Sequence, residues 1–326
     1  MRDDPAEAKP NGGAAALRCS SFARSEDLDP VGSAGSYRGI VLAEVTLPWP
    51  REITEHAALA QAAGALGAAN MRLQGLVPDD GSDPHRRRLL AFTRPAGAFD
   101  RYRGRAWTVD DARLGDAVTA IAASGGHDAG PALPQPGDVA GPDGRGRHVL
   151  VCTHGRRDAC CGTLGTRLAL DMRGLGAGAR VWRTSHTGGH RFAPTALLLP
   201  EGTMWAYLDT GRLAAVSERT LPLDEAARLY RGCTGLDCPE VQAAEREALR
   251  SIGWSWLNHR RRGEVVASAG GRSRVRLDAE APDGRRLAFE ATVEVARTLP
   301  VPDCGKPPEQ APKSAPELRV TGFAAA

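Results

Sequence analysis

No stretch of this chain approaches the roughly 20 consecutive apolar residues that a membrane-spanning helix requires. The first residues, MRDDPAEAKPNGGAAALR, carry charge and glycine but lack the continuous apolar segment of a secretory signal. Net charge is scarce too: over 326 residues the formal balance is +3, so the excess of cations on which nucleic-acid binding draws is missing. Cysteines are few and odd in number, seven at positions 19, 152, 160, 161, 233, 238 and 304, and their scatter argues against the disulfide framework of a small secreted protein. The chain also lacks a Cys-x-x-Cys redox pair and a glycine-rich dinucleotide fingerprint after a predicted strand. These absences lead us to expect a soluble cytoplasmic protein in a reducing compartment. It should have no nucleic-acid partner, no membrane contact and no nicotinamide or flavin site of its own.

What is present is an ordinary composition, 42% apolar and 25% charged, in a chain long enough for two compact units. Past an expected disordered tail over 1–17, the first unit (18–125) opens with CSSFAR and an apolar run, GIVLAEVTLPW, of strand character. An Ala- and Leu-rich segment over 54–68 predicts a helix, and 71–77 and 89–92 predict further strands. Residues 126–147, rich in Pro and Gly, predict a linker. In the second unit (148–238) a strand over 148–151 ends at Cys152, a helix is expected over 160–172 and a strand over 179–183. A hairpin over 196–199 and 204–208 and a closing helix over 223–230 follow. The order β-α-β-loop-β-β-α is that of a thioredoxin-like unit. Parallel first strands would bring Cys152 and the loop after the second strand to one sheet edge, where open α/β sheets place their sites. The fold class expected is α/β: two thioredoxin-like units, the first without ligands, with a small α+β appendage over 239–310 and a flexible tail over 311–326.

Eight residues, THGRRDAC, separate Cys152 from Cys161, and SHTGGH then supplies His186 and His190. Two thiols and two imidazoles suit zinc or an iron–sulfur centre. The histidines have ordinary zinc spacing, but the cysteines are farther apart than in a zinc knuckle. A wide loop can wrap something larger than one ion, which favours a cluster. Gly188 and Gly189 disfavour a helix between the histidines and let the backbone approach a bound group closely. His154, Arg156, Arg157 and Asp158 fill the loop between the cysteines, either solvated or supplying charge and hydrogen bonds to a centre. Cys160 at a helix start is expected to pack beside the ligands, with a low-pKa redox thiol as the other possibility. Cys19, Cys233, Cys238 and Cys304 have no partner set in sequence and are taken as structural. Arg180, Arg183 and Arg191 flank the histidine loop and offer a docking surface for an acidic redox partner.

Over residues 18–310 the chain resembles the sucrase/ferredoxin-like family, thioredoxin-like ferredoxins that include a yeast actin-patch-associated member. The motifs that carry the resemblance are CSSFAR, the strand ending in LPWP, the cysteine spacing, HTGGHRFAPTALLLPEG, YRG and CGK. The resemblance implies a 2Fe–2S cluster held by Cys152, Cys161, His186 and His190. Cys160, directly before Cys161, departs from the simplest pattern, and spacing favours Cys161 as the ligand. No sugar hydrolysis is expected, because no carboxylate pair has a positional claim to it.

The function expected is one-electron transfer between an external reductase and an acceptor, a carrier rather than a stand-alone enzyme. Histidine ligation should raise the potential relative to an all-cysteine cluster, since a neutral ligand replaces an anionic one. If an imidazole gains a proton on reduction the midpoint falls as pH rises, so a flat midpoint between about pH 6 and pH 9 would contradict proton coupling. Two alternatives stand beside this. One is a structural zinc site with the same four ligands in a binding module, and the other is a thiol oxidoreductase using Cys160 or Cys161.

Overall fold

In a computed structural model, which describes residues 17–126, 137–138, 146–173 and 179–326, the apolar run Gly39–Glu44 forms β1 and is buried along its whole length. A strand buried on both faces must be covered by layers on both sides. Accordingly Ile40 and Leu42 enter one core while Val41 and Ala43 enter another. β1 pairs in parallel with β2 (Met71–Leu76) and antiparallel with β3 (Arg86–Thr93), which pairs with β4 (Arg103–Asp110). The helix expected over 54–68 is realised only from Ala63, as α2 (Ala63–Ala68), preceded by 3-10 turns at Ile53–Glu55 and Ala60–Ala62. α3 (Leu114–Ala123) packs with α2 on the same face through Leu114, Val118 and Ile121.

The second half repeats this order. β6 (Arg147–Cys152) lies parallel to β7 (Ala179–Thr184) and antiparallel to β8 (Ala196–Leu199), with β9 (Thr203–Trp205) and β10 (Tyr230–Cys233) beyond. In each half the sheet runs second, first, third, fourth strand, with the first pair parallel, the order of a thioredoxin-like unit. The halves meet edge to edge where β2 faces β7, with Leu76 opposite Thr184. Together with β5 (Gly137–Asp138) they make one ten-stranded sheet. β5 pairs with β4 and falls inside the segment expected to be a linker, so part of that segment is an edge strand. Residues 127–136 and 139–145 of that segment, and the expected tail except Leu17, lie outside the described residues.

Between β6 and β7 the expected helix is a π-turn, Cys161–Gly165, continued by α4 (Thr166–Asp171). α5 (Thr210–Glu218) starts where the Asp209 carboxylate accepts from the Arg212 N–H at 2.8 Å. α6 (Leu223–Leu229) ends as Tyr230 enters β10.

One face of the large sheet is closed by α7 (Pro239–Ile252) and a second, antiparallel sheet of β11 (Arg260–Ala269), β12 (Arg272–Glu280), β13 (Arg286–Pro300) and β14 (Ser314–Ala325). Val241 and Ala244 of α7 share a core with Leu150 and Trp182 of the large sheet and Val275 and Val293 of the small one. The fully buried Arg261 donates to the equally buried Glu245 at 2.7 Å, tying β11 to α7, and the Tyr230 hydroxyl donates to the same carboxylate at 2.7 Å. The tail expected to be flexible over 311–326 is in fact β14, with Leu318 in the core. A long β13 leaves a row of unpaired backbone groups unless a fourth strand covers its edge, and β14 pairs along it from Phe289 to Pro300. Among the described residues no helix is long and apolar enough to cross a membrane.

Candidate metal centre

β6 ends at Cys152 and β7 at Thr184, and the two are register partners. The carboxyl ends of the parallel pair therefore deliver Cys152 and the loop that follows Thr184 to one sheet edge. The chain returns from Cys152 through residues 153–160 into the π-turn. There Gly165 lies against the strand end: a Cβ at this position would stand 1.9 Å from the Cys152 carbonyl oxygen. That approach, open only to glycine, brings Cys161 back beside Cys152. Asp158 fixes the turn by accepting the Cys160 N–H at 2.8 Å and the Cys161 N–H at 3.4 Å. π-turns of this kind recur at functional sites because they re-aim one side chain.

The histidine loop is held by the strand β2 of the first half. Arg72 and Gln74 on β2 donate to the His186 carbonyl at 2.7 and 3.2 Å, and the Gly75 N–H donates to the Ser185 hydroxyl at 2.9 Å. The first half of the chain is thus the floor on which the loop rests. Gly188 and Gly189 have φ of +88° and +68°, left-handed conformations that turn the loop back on itself. Under them sits Arg231 of the YRG motif, 1% exposed, donating to the Gly188 carbonyl at 3.1 Å and to the Ser33 hydroxyl and carbonyl at 3.0 and 2.7 Å. Burial lowers its pKa to about 10, so it stays cationic at neutral pH, within electrostatic reach of Cys152 and Cys161.

Three of the four expected ligands come together: the Sγ atoms of Cys152 and Cys161 and a ring nitrogen of His186 lie within 4.8 Å of one another. His186 Nδ1 stands 3.9 Å from Cys152 Sγ. His190 lies beside this trio, its ring centroid 6.1 Å from that of His186. Its Nδ1 faces Asp158 Oδ2 at 3.1 Å and Cys19 Sγ at 3.3 Å, which leaves Nε2 as the nitrogen able to bind a metal. A carboxylate holding one ring nitrogen while the other serves a metal is the usual environment of a ligating histidine. The Cys161 thiol donating to Cys152, helped by His186, holds Cys152 well below the ordinary thiol range against the effect of burial, and the same pairing pushes Cys161 up. That pairing favours the thiolate on Cys152, the form in which sulfur binds metal. Asp158 is held below the usual carboxylate range because hydrogen bonds and charge from His190, with help from Cys19 and Cys304, outweigh burial.

The other expected residues divide. His154 is buried, stacks on Trp49 at 5.5 Å and accepts the Arg157 N–H through Nδ1 at 2.9 Å, while Arg157 turns outward to pair with Glu52. His154 and His186 line a cavity of about 210 Å³ with Glu52 and Arg72, giving His186 an opening to solvent. Arg180, Arg183 and Arg191 do not form one docking face: Arg191 is buried against Phe192, and Arg180 stacks on Trp182 and pairs with Asp79. Cys233 and Cys238 join the core around α7, away from the centre. Cys19 and Cys304, expected to be merely structural, lie instead with Cys160 and Asp158 in a second group whose ligand atoms are all within 4.8 Å. Nothing in their local sequence signals this, because they are separated by almost the whole chain. Arg231 was likewise visible only as part of a motif, without a role.

A family model described as sucrase/ferredoxin-like matches residues 30–232. No curated protein and no solved structure matches the chain.

Proposed function

The chain belongs to the sucrase/ferredoxin-like family, and from that premise we propose that it is an electron-transfer protein whose 2Fe–2S cluster is held by Cys152, Cys161, His186 and His190. The observation that carries this reading is the convergence of two thiols and one imidazole within 4.8 Å, with the second imidazole alongside. When bound, the cluster would supply one-electron redox chemistry at a centre less negative than an all-cysteine one. The protein's own contributions are positional and electrostatic. Asp158 orients His190, Arg72 and Gln74 fix the backbone at His186, and the buried Arg231 cation offsets thiolate charge from beneath the loop. His186 lines a cavity open to solvent, which makes it the ligand through which we expect an incoming redox partner to exchange electrons. An external reductase and acceptor complete the reading, with a cytoplasmic location that keeps the thiols reduced.

The test is the visible spectrum of protein purified without oxygen, with iron and acid-labile sulfide quantified on the same sample. Bands near about 400–600 nm that bleach with dithionite, at about two iron and two sulfide per chain, are expected. A colourless protein without iron or sulfide refutes the proposal.

A further inference from the structure

Cys19, Cys160 and Cys304 are not among the donors above, and with Asp158, which also orients His190, they form a group of their own. Three segments meet there: the start of α1 (Cys19–Ser25), the first turn of the crossover and the loop after β13. The sulfurs of Cys160 and Cys304 are 3.1 Å apart and those of Cys304 and Cys19 3.5 Å apart. Asp158 oxygens lie 3.3 Å from Cys19 Sγ and 3.6 Å from Cys304 Sγ. Bonds of about 2.3 Å to sulfur and about 2.0 Å to oxygen put tetrahedral edges at about 3.8 Å for S···S and about 3.5 Å for S···O. The S···O separations match that edge and the S···S separations are shorter than it, so the donors are gathered tightly enough to close on one ion with a small outward shift of the sulfurs, and they are too close for the spread of a cuboidal cluster. Cys19, Cys160 and Asp158 are each under 5% exposed and Cys304 is half-buried beside them, so two soft donors and a carboxylate are enclosed together with little water to satisfy them.

We propose that Cys19, Cys160, Cys304 and Asp158 form a second, structural metal site that takes one zinc ion as three thiolates and one carboxylate oxygen. Cys19 and Cys304 both lie outside residues 30–232, the part that the family model matches, so that match does not account for the site. The site staples the segments that carry Cys19 and Cys304 to each other and to the sheet edge, and the Gly305 N–H already donates to the Leu17 carbonyl at 2.8 Å. It also braces the neighbouring centre, because Asp158 accepts from Cys304 through Oδ1 while its Oδ2 lies between Cys19 Sγ and His190 Nδ1. Zinc has no redox chemistry of its own, so its role here is to set geometry.

The site stands whether or not the neighbouring centre holds a cluster, and metal analysis of three proteins separates the two. In the wild type about one zinc per chain is expected; Cys19→Ser/Cys304→Ser should lose it and keep its iron, and Cys152→Ser/Cys161→Ser should lose iron and keep zinc. X-ray absorption at the zinc edge of the wild type, which needs no variant to fold, should give three sulfurs and one oxygen at about 2.3 and 2.0 Å. Four outcomes overturn the proposal: a wild type without zinc, zinc retained by the Cys19/Cys304 double variant, iron lost from that variant instead of zinc, or nitrogen in the zinc shell. Two missing free thiols in zinc-free protein would identify a Cys160–Cys304 disulfide in its place.

Discussion

Alanine at Gly188 and at Gly189 should have sharply different effects, although the two glycines are adjacent and both left-handed. At either position the new side chain meets the same backbone penalty, about 1–2 kcal/mol for a left-handed L-residue. At Gly188 the added Cβ would find only Arg231 Nη2, at 4.0 Å, an ordinary contact. At Gly189 it would stand 2.4 Å from Nη2, 2.6 Å from Cζ and 3.0 Å from Nη1 of the same guanidinium. Arg231 cannot swing aside freely, because it is enclosed and tied to Ser33 and the Gly188 carbonyl. Relief therefore breaks at least one charge-assisted bond in a buried place, about 1.5–3 kcal/mol. Gly188→Ala should cost about 1–2 kcal/mol and Gly189→Ala about 3–5 kcal/mol. Urea unfolding of both variants measures this, and the metal content of each shows whether His190, the next residue, is still placed. Equal destabilisation of the two would refute Arg231 as the support of the loop.

Three further outcomes follow from the packing. Glu201 is buried against Arg147 and Arg219, and although burial works the other way, their charges and a backbone N–H hold its carboxyl below the usual range. Its stabilisation is thus complete above the unfolded carboxyl value, about 4.3, and lost as pH falls through the lower folded value. Glu201→Gln should cost about 1–3 kcal/mol at pH 7, less than a fully buried pair because both arginines are partly exposed, and the gap to wild type in thermal melts should close below about pH 4. Glu245→Gln strands the fully buried Arg261 and should cost about 3–5 kcal/mol, whereas Glu245→Gln with Arg261→Met should recover most of it; a double variant no better than the single, by chemical unfolding, would contradict this. Deleting 314–326 uncovers the β13 edge and removes Leu318 from the core, so the truncated chain should self-associate in size-exclusion chromatography. A monomer of unchanged melting temperature would restore the flexible-tail view.

Sequence alone determined what depends on local chemistry. The run of buried-type residues at β1, the strand that stops at Cys152, the glycines between His186 and His190 and the order of elements in the second unit are short-range patterns, and they translate directly into an α/β sheet with three of four expected ligands at one edge. Tertiary structure alone decided what depends on residues far apart in the chain. That the two halves share one sheet rests on the single meeting of β2 with β7, and that residues 311–326 are ordered rests on an edge of β13 in need of a partner. The meeting of Cys19 with Cys304 needs segments from the two ends of the chain to return to the same place, and Arg231 reaches the histidine loop from β10, an edge strand of the large sheet. Periodicity and spacing record which face of an element is buried, but they carry no information about which distant element will cover it.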